Sequence, residues 1–140
     1  KGFCIVHSIF SQSDVEGIRM KHKGINVIVH PECKPEVVDI SDFAGSTSFI
    51  KGKVDNSDPG SKWAIGTEIN FVNRIKAQNP DKLVVPLKES GCREMSKVTL
   101  EKVTYILEGL VEGRALDRVA VSDIYIGNAR LALKRMLEIV

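Results

Sequence analysis

The sequence predicts an α/β protein, a three-layer α/β/α domain on a parallel sheet with C-terminal helices after it. Two observations predict the sheet. Short β-branched runs such as Ile25-Asn26-Val27-Ile28-Val29 alternate with segments whose apolar residues recur at helical spacing. Such alternation implies crossovers of one hand, and therefore parallel strands covered on both faces. A third observation predicts the tail: after Cys92 the strands stop, and two long amphipathic segments follow.

Taken in order, Phe3 to Val6 is a short apolar run suited to a buried strand. A helix follows, with Ser11 as cap, Asp14 three residues later as in a capping box, and Val15, Ile18 and His22 on one face. Gly24 closes it, and Ile25 to Val29 is the next strand. Pro35 opens a short helix over Glu36 to Ile40. Phe43-Ala44-Gly45 is a third strand, assigned from context. Gly52 to Ser61 reads as a polar loop, with Asn56, Ser57, Asp58, Pro59 and Gly60 marking turns. Trp63 to Ile65 is a strand, Glu68 to Gln78 a helix with Ile69, Val72 and Ile75 inward, and Leu83 to Val85 a further strand. Thr99 to Val111 carries Leu100, Val103, Leu107 and Leu110 at helical spacing, and Ser122 to Ile139 carries Leu131, Met136 and Leu137. Two closing helices without strands suggest packing against something else.

Composition narrows the function. Among 140 residues, 20 basic and 18 acidic side chains are interspersed, so no basic face for nucleic acid is expected. No apolar run approaches the roughly 20 residues of a membrane span, so no membrane partner is expected either. Three widely spaced cysteines, Cys4, Cys33 and Cys92, make no disulfide framework and point to a cytoplasmic setting. The opening Lys1-Gly2-Phe3-Cys4 carries no leader pattern and reads as a strand entered mid-fold.

Ligands of open α/β sheets bind beyond the carboxyl ends of the strands. Five successive strand ends carry reactive groups: Cys4-Ile5-Val6-His7, His30-Pro31-Glu32-Cys33, Gly45-Ser46-Thr47-Ser48, Gly66-Thr67-Glu68 and Gly91-Cys92-Arg93-Glu94-Met95. Singly, each has a plain structural reading. A histidine can be a bonded structural group, Ser46 or Thr67 a helix cap, and Met95 a packing residue. Together they make a site. The Gly45 turn can also present backbone N–H groups and hydroxyls to an anion.

These motifs, in this order, resemble the quinolinate synthase family. The resemblance rests on Cys-Ile-Val-His at Cys4, His-Pro-Glu-Cys at His30, Gly-Ser-Thr-Ser at Gly45, Gly-Thr-Glu at Gly66 and Cys-x-x-Met at Cys92, spanning about two thirds of the chain. Thr-Leu-Glu-Lys-Val at Thr99 and the final Arg-x-x-Leu-Lys-Arg-Met-Leu segment are also similar to the family. The resemblance implies one repeat of a pseudo-threefold fold of three α/β/α domains. Residues 1–8 would end the second repeat, 9–95 would form the third, and 96–140 would be helices packing back on an absent first domain. It implies a condensation of iminoaspartate with dihydroxyacetone phosphate to quinolinate, in de novo NAD biosynthesis, with loss of phosphate and water. L-aspartate oxidase or an aspartate dehydrogenase would supply the iminoaspartate. It further implies a 4Fe–4S cluster on three cysteines whose fourth iron is an open Lewis acid. Cys4 and Cys92 would be two of those ligands, Cys33 a non-ligand, and the remaining one would lie outside this chain.

By the same resemblance Glu32 and His30 are catalytic acid–base groups that also touch substrate. His7 lies beside the substrate, Ser46 and Thr47 hold its carboxylate or phosphate, and Glu68 has only a supporting role. The family's substrate-contacting tyrosines are absent, and Tyr105 and Tyr125 do not replace them. Phe49 stands where a small residue is expected, which alters the local pocket. The chain alone is expected to be inactive. Two other readings remain open on the residues: a zinc module built on Cys4, His7, His30 and Cys33, and a phosphate-binding domain built on Gly45 to Ser48.

Overall fold

The computed structural model describes residues 4–139. They divide into two compact units, one running to Lys97 and one beginning at Val98.

In the first unit α1 (Ile5–Ser8) and α2 (Gln12–Lys21) lead into β1 (Asn26–Val29). Then come α3 (Pro35–Asp39), β2 (Phe43–Ala44), α4 (Thr47–Asp55), β3 (Lys62–Gly66), α5 (Ile69–Gln78) and β4 (Leu83–Pro86). The four strands are parallel, in the order β2-β1-β3-β4. Alternation along β1 feeds two cores, as the period of two in a strand requires. Val27 and Val29 face one core with Phe10, Val15, Val37, Ala64 and Leu87. Ile28 faces the other with Ile50, Val54, Trp63, Ile65, Val72, Ile75 and Val84. Thus α2 and α3 cover one face while α4 and α5 cover the opposite one, giving three layers. The two faces follow from chain direction: β1 to β2 moves one way across the sheet and β2 to β3 the other, and crossovers of constant hand then put their helices on opposite sides.

Local signals explain the helix starts. The Asp14 carboxylate accepts the Ser11 backbone N–H at 2.9 Å and its hydroxyl at 2.7 Å, fixing the start of α2. Ser46 caps α4 by accepting the Phe49 N–H, and Pro35 occupies the first turn of α3. Glu68, not Thr67, caps α5, its carboxylate accepting the N–H groups of Asn70 at 2.9 Å and Phe71 at 3.1 Å. Gly24, at φ +73, turns the chain from α2 into β1.

Two expected elements differ. Ile5 and Val6 are helical rather than extended, and Phe3 lies outside the described residues. A short apolar run does not distinguish a buried strand from a buried helical turn, and Val6 is buried in α1. The polar stretch from Gly52 is helical as far as Asp55, because Ile50 and Val54 put one face of α4 into the core. The turn proper begins at Asn56 and is tied down by the Trp63 indole N–H, which donates to the hydroxyls of Ser57 at 3.0 Å and Ser61 at 3.1 Å.

The second unit holds α6 (Leu100–Val111), capped by Thr99, and α7 (Asp123–Leu137). Most of their apolar residues, among them Leu100, Leu107, Leu110, Met136 and Leu137, are exposed. Among the described residues no helix is long and apolar enough to cross a membrane.

Burial works against ionisation of Asp14, but the Ser11 hydroxyl and N–H and the Lys88 ammonium outweigh it and hold its pKa below the ordinary value. Its stabilising contribution is therefore present above the unfolded pKa and lost as pH falls through the lower native one. Asp14→Ala should cost about 1 kcal/mol at neutral pH in urea denaturation, with the difference from wild type closing in acid below about pH 4. Ile65→Ala, at a fully buried position in the second core, should cost about 2–5 kcal/mol.

Candidate active site

The strand order reverses between β1 and β3, so the helices leaving their carboxyl ends run to opposite faces and open a crevice there. The His30 N–H donates to the Gly66 carbonyl at 3.2 Å, extending the β1–β3 ladder one residue past β1. This sets the His30 segment beside Gly66-Thr67. Gly66 lets the strands close up here, since a Cβ on it would stand 2.8 Å from a Val29 methyl.

Residues from three segments meet at this crevice. The rings of His7 and His30 stack at 4.2 Å between centroids and 7° between planes. Glu32 Oε2 lies 3.0 Å from His7 Nδ1 and 3.9 Å from His30 Nδ1. His7 Nε2 is 3.1 Å from the hydroxyl of buried Thr67, whose carbonyl accepts the Ser90 hydroxyl at 2.5 Å. With Nδ1 turned to a carboxylate and Nε2 to a hydroxyl, neutral His7 carries its proton on Nδ1 and accepts from Thr67. His30 Nδ1 accepts the Glu32 backbone N–H at 3.3 Å, which leaves the His30 proton on Nε2. Burial and then the neighbouring His7 hold the His30 pKa below its ordinary value, against the opposing pull of Glu32. One imidazole is thus kept neutral beside a carboxylate whose side chain is 52% exposed. Such a pairing can pass a proton to and from a bound molecule.

The cysteines separate by environment. Cys33 is buried, its thiol donates to the Gly66 carbonyl at 3.7 Å, and burial pushes its pKa up to about 11. Cys4 and Cys92 are half-buried free thiols, and neither sulfur has a hydrogen-bond partner among the described residues. Cys4 Sγ, a His7 nitrogen and a Glu32 oxygen all lie within 4.8 Å of one another. Cys92 follows Ser90 by two residues, and its carbonyl accepts the Ser96 N–H at 3.0 Å and hydroxyl at 2.8 Å.

Of the residues expected to act, the structure therefore gathers Cys4, His7, His30 and Glu32. Ser46 and Thr47 sit at the end of β2, next to β1 through the Gly45 N–H to Val29 carbonyl bond of 3.1 Å, but no hydrogen bond joins them to the histidine pair. Cys4 and His7 come from a helical turn and not from a strand end. The tetrahedral set of Cys4, His7, His30 and Cys33 does not assemble: Cys33 is engaged with Gly66 and Glu32 stands in the group instead. Met95 is exposed rather than packed, and with Glu68, Asn70, Phe71 and Arg74 it lines a cavity of about 300 Å³. A cavity of about 500 Å³ lined by Phe43, Phe49, Lys53 and Trp63 holds none of these site residues.

Phe49 has a local consequence. A Cβ on Gly45 would run into its ring, so the turn glycine and the aromatic are matched. Two contributors are assigned no site role by the sequence. Thr67 had a plain reading as a cap, and Ser90 has no motif around it. The fold turns the Thr67 hydroxyl toward His7 and the Ser90 hydroxyl onto the Thr67 carbonyl.

In reduced, metal-free protein, iodoacetamide at about pH 8 should label Cys4 and Cys92 while Cys33 reacts at least about tenfold more slowly, because about one Cys33 in a thousand is thiolate. Peptide mass mapping reads the order, and labelling of Cys33 first would contradict its buried, protonated state.

The sequence model of the family described as Quinolinate synthetase A protein matches residues 1–138. A quinolinate synthase of Bacillus cereus is 44% identical over 140 residues, covering 99% of this chain and 38% of the relative. One from Herpetosiphon aurantiacus is 44% identical, covering 99% of this chain and 37% of the relative. A Bacillus anthracis quinolinate synthase is likewise 44% identical, with 38% of its length covered. The chain thus spans 38% of the length of the first of these relatives. A family match over residues 1–138, with relatives 44% identical along 99% of the chain, makes this chain a member of the quinolinate synthetase A protein family.

Proposed function

We propose that this chain supplies one side of a quinolinate synthase active site, which condenses iminoaspartate with dihydroxyacetone phosphate and releases phosphate and water. The observation that carries the reading is the Glu32 carboxylate, half-exposed at the sheet crevice, 3.0 Å from His7 Nδ1 and beside a neutral His30. Glu32 is the general acid–base group. One of its oxygens is anchored on the His7 N–H, which leaves the other to take a proton from the condensing substrates and return it during dehydration. His30, with its proton on Nε2, donates to a substrate oxygen. His7 aligns Glu32 and forms the wall next to the substrate.

At the end of β2 the Ser46 oxygen accepts the Phe49 N–H at 3.2 Å, so its own proton can be donated outward. Together with the exposed Thr47 hydroxyl and the first backbone N–H groups of α4, it suits a carboxylate or phosphate of the substrates. The donor chemistry fits a 4Fe–4S cluster in part. Cys4 and Cys92 are accessible thiols, Cys33 is closed off, and a third thiolate would come from the portion of the relatives that this chain does not span. When bound, the cluster would supply a Lewis-acidic iron for a substrate oxygen or nitrogen. The exposed apolar faces of α6 and α7 suit packing on another domain, and a cytoplasmic enzyme fed by L-aspartate oxidase or an aspartate dehydrogenase fits the reading.

In the full-length protein, Cys4→Ala and Cys92→Ala should each abolish the brown cluster absorbance, while Cys33→Ala should retain it. Glu32→Gln should keep the absorbance and lower quinolinate formation roughly 10²–10⁴-fold. The 140-residue chain alone, reconstituted with iron and sulfide, should form no quinolinate. Loss of absorbance in Cys33→Ala with retention in Cys92→Ala would overturn the ligand assignment, and full activity in Glu32→Gln would overturn the acid–base role.

A further inference from the structure

We propose that Cys4, His7 and Glu32 also form a binding site for a single divalent transition-metal ion, zinc foremost, in protein that carries no cluster. Competition with the cluster rests on the proposed function: bound zinc would withhold the Cys4 sulfur from it.

The donor geometry carries the inference. One ligand atom from each residue lies within 4.8 Å of the other two. Tetrahedral zinc, with bonds of roughly 2.0–2.3 Å, needs donors somewhat closer than that limit. Glu32 Oε2 already lies 3.0 Å from His7 Nδ1, and its 52% exposed side chain has room to follow the ion by a rotamer change. His7, by contrast, is already held as a metal-binding imidazole should be. It stacks on His30 at 4.2 Å, presents Nδ1 toward Glu32, and has Nε2 at 3.1 Å from the Thr67 hydroxyl. An imidazole bound through one nitrogen is oriented by a hydrogen bond at the other, and Thr67 supplies it here. The Ser90 hydroxyl bonded to the Thr67 carbonyl at 2.5 Å holds that anchor in place.

The donor types select the ion. One sulfur, one imidazole nitrogen and one carboxylate suit zinc or cobalt and not magnesium or calcium, which take oxygen donors. Three protein donors leave a fourth position open to water. Protons balance on binding: the Cys4 thiol releases its proton to solvent. The His7 proton exchanges from Nδ1 to Nε2, from which it is donated to the Thr67 oxygen, and the Thr67 hydroxyl hydrogen turns away. Neither of the other two candidates joins the set, because the Cys33 thiol is committed to the Gly66 carbonyl and His30 Nδ1 to the Glu32 N–H.

The test uses reduced, cluster-free, metal-stripped full-length protein titrated with cobalt(II). One cobalt per chain is expected, with thiolate-to-cobalt charge-transfer absorbance and tetrahedral d–d bands. Cys4→Ser should remove the charge-transfer band. Glu32→Gln, a conservative change at a half-exposed position, should weaken binding at least about tenfold, and Thr67→Val roughly 10–100-fold. Cys33→Ala and Cys92→Ala should bind as wild type does. No cobalt binding, undiminished binding by Glu32→Gln, or loss of the band in Cys92→Ala would each overturn the site. Competition is read separately: one equivalent of zinc added before iron and sulfide should suppress the brown absorbance until a chelator is added, and equal cluster yield with zinc present would refute it. Should wild-type full-length protein form no cluster at all, the proposed function fails while the cobalt result still decides the mononuclear site.

Discussion

The pairing of β1 with β3 is the constraint on which the site depends. These two central strands share four residue pairs from Asn26–Trp63 to Val29–Gly66, and the ladder continues through the His30 N–H to the Gly66 carbonyl. A parallel register fixes which residue stands beside which, and a slip by one residue would turn every side chain to the other face. With the register as it stands, His30 and Thr67 emerge side by side where the sheet order reverses. His7 then completes the group by bonding Thr67 with one nitrogen and Glu32 with the other.

That arrangement gives chemically similar residues different work. Both imidazoles lie near Glu32, yet one has its proton directed at the carboxylate while the other accepts the Glu32 backbone N–H and is kept neutral by burial. The same separation applies to sulfur. Cys33 belongs to the most recognisable motif in the chain, but its thiol is buried against a backbone carbonyl and held protonated. Cys4 and Cys92, in less conspicuous surroundings, are half-buried residues with free thiols. Accessibility and desolvation, more than motif, decide which thiol can meet a metal.

Two layers of packing support this edge. Ile28, Ile65 and their neighbours form one core, and Val27, Val29 and Ala64 the other, so the central strands are clamped from both sides while their carboxyl ends remain open. Each fully buried branched side chain contributes about 1.5–3 kcal/mol, and the crevice therefore rests on the most strongly held part of the first unit. The second unit contrasts with it: α6 and α7 expose the leucines that would normally be buried, and Gly109 is the buried residue of α6.

Much of the fold was legible in the residues themselves. A β-branched run marked β1 and short apolar runs marked β3 and β4, Ser11 with Asp14 marked the start of α2, and Pro35 marked α3, because these signals act over a few residues and need no distant partner. The limits of α1 and α4 were not legible. Val6 and the mostly polar stretch from Gly52 to Asp55 take their conformation from the core, in which Val6, Ile50 and Val54 are buried. For the site, residue order and type pointed to His7, His30, Glu32 and the cysteines as a group. Which imidazole nitrogen faces the carboxylate, that Thr67 serves His7 while Glu68 caps the helix, and that Glu32 rather than Cys33 stands with Cys4 and His7 were decided only by the tertiary structure. The His7 contacts join side chains 25 to 60 residues apart in sequence and are set by strand register and crossover direction.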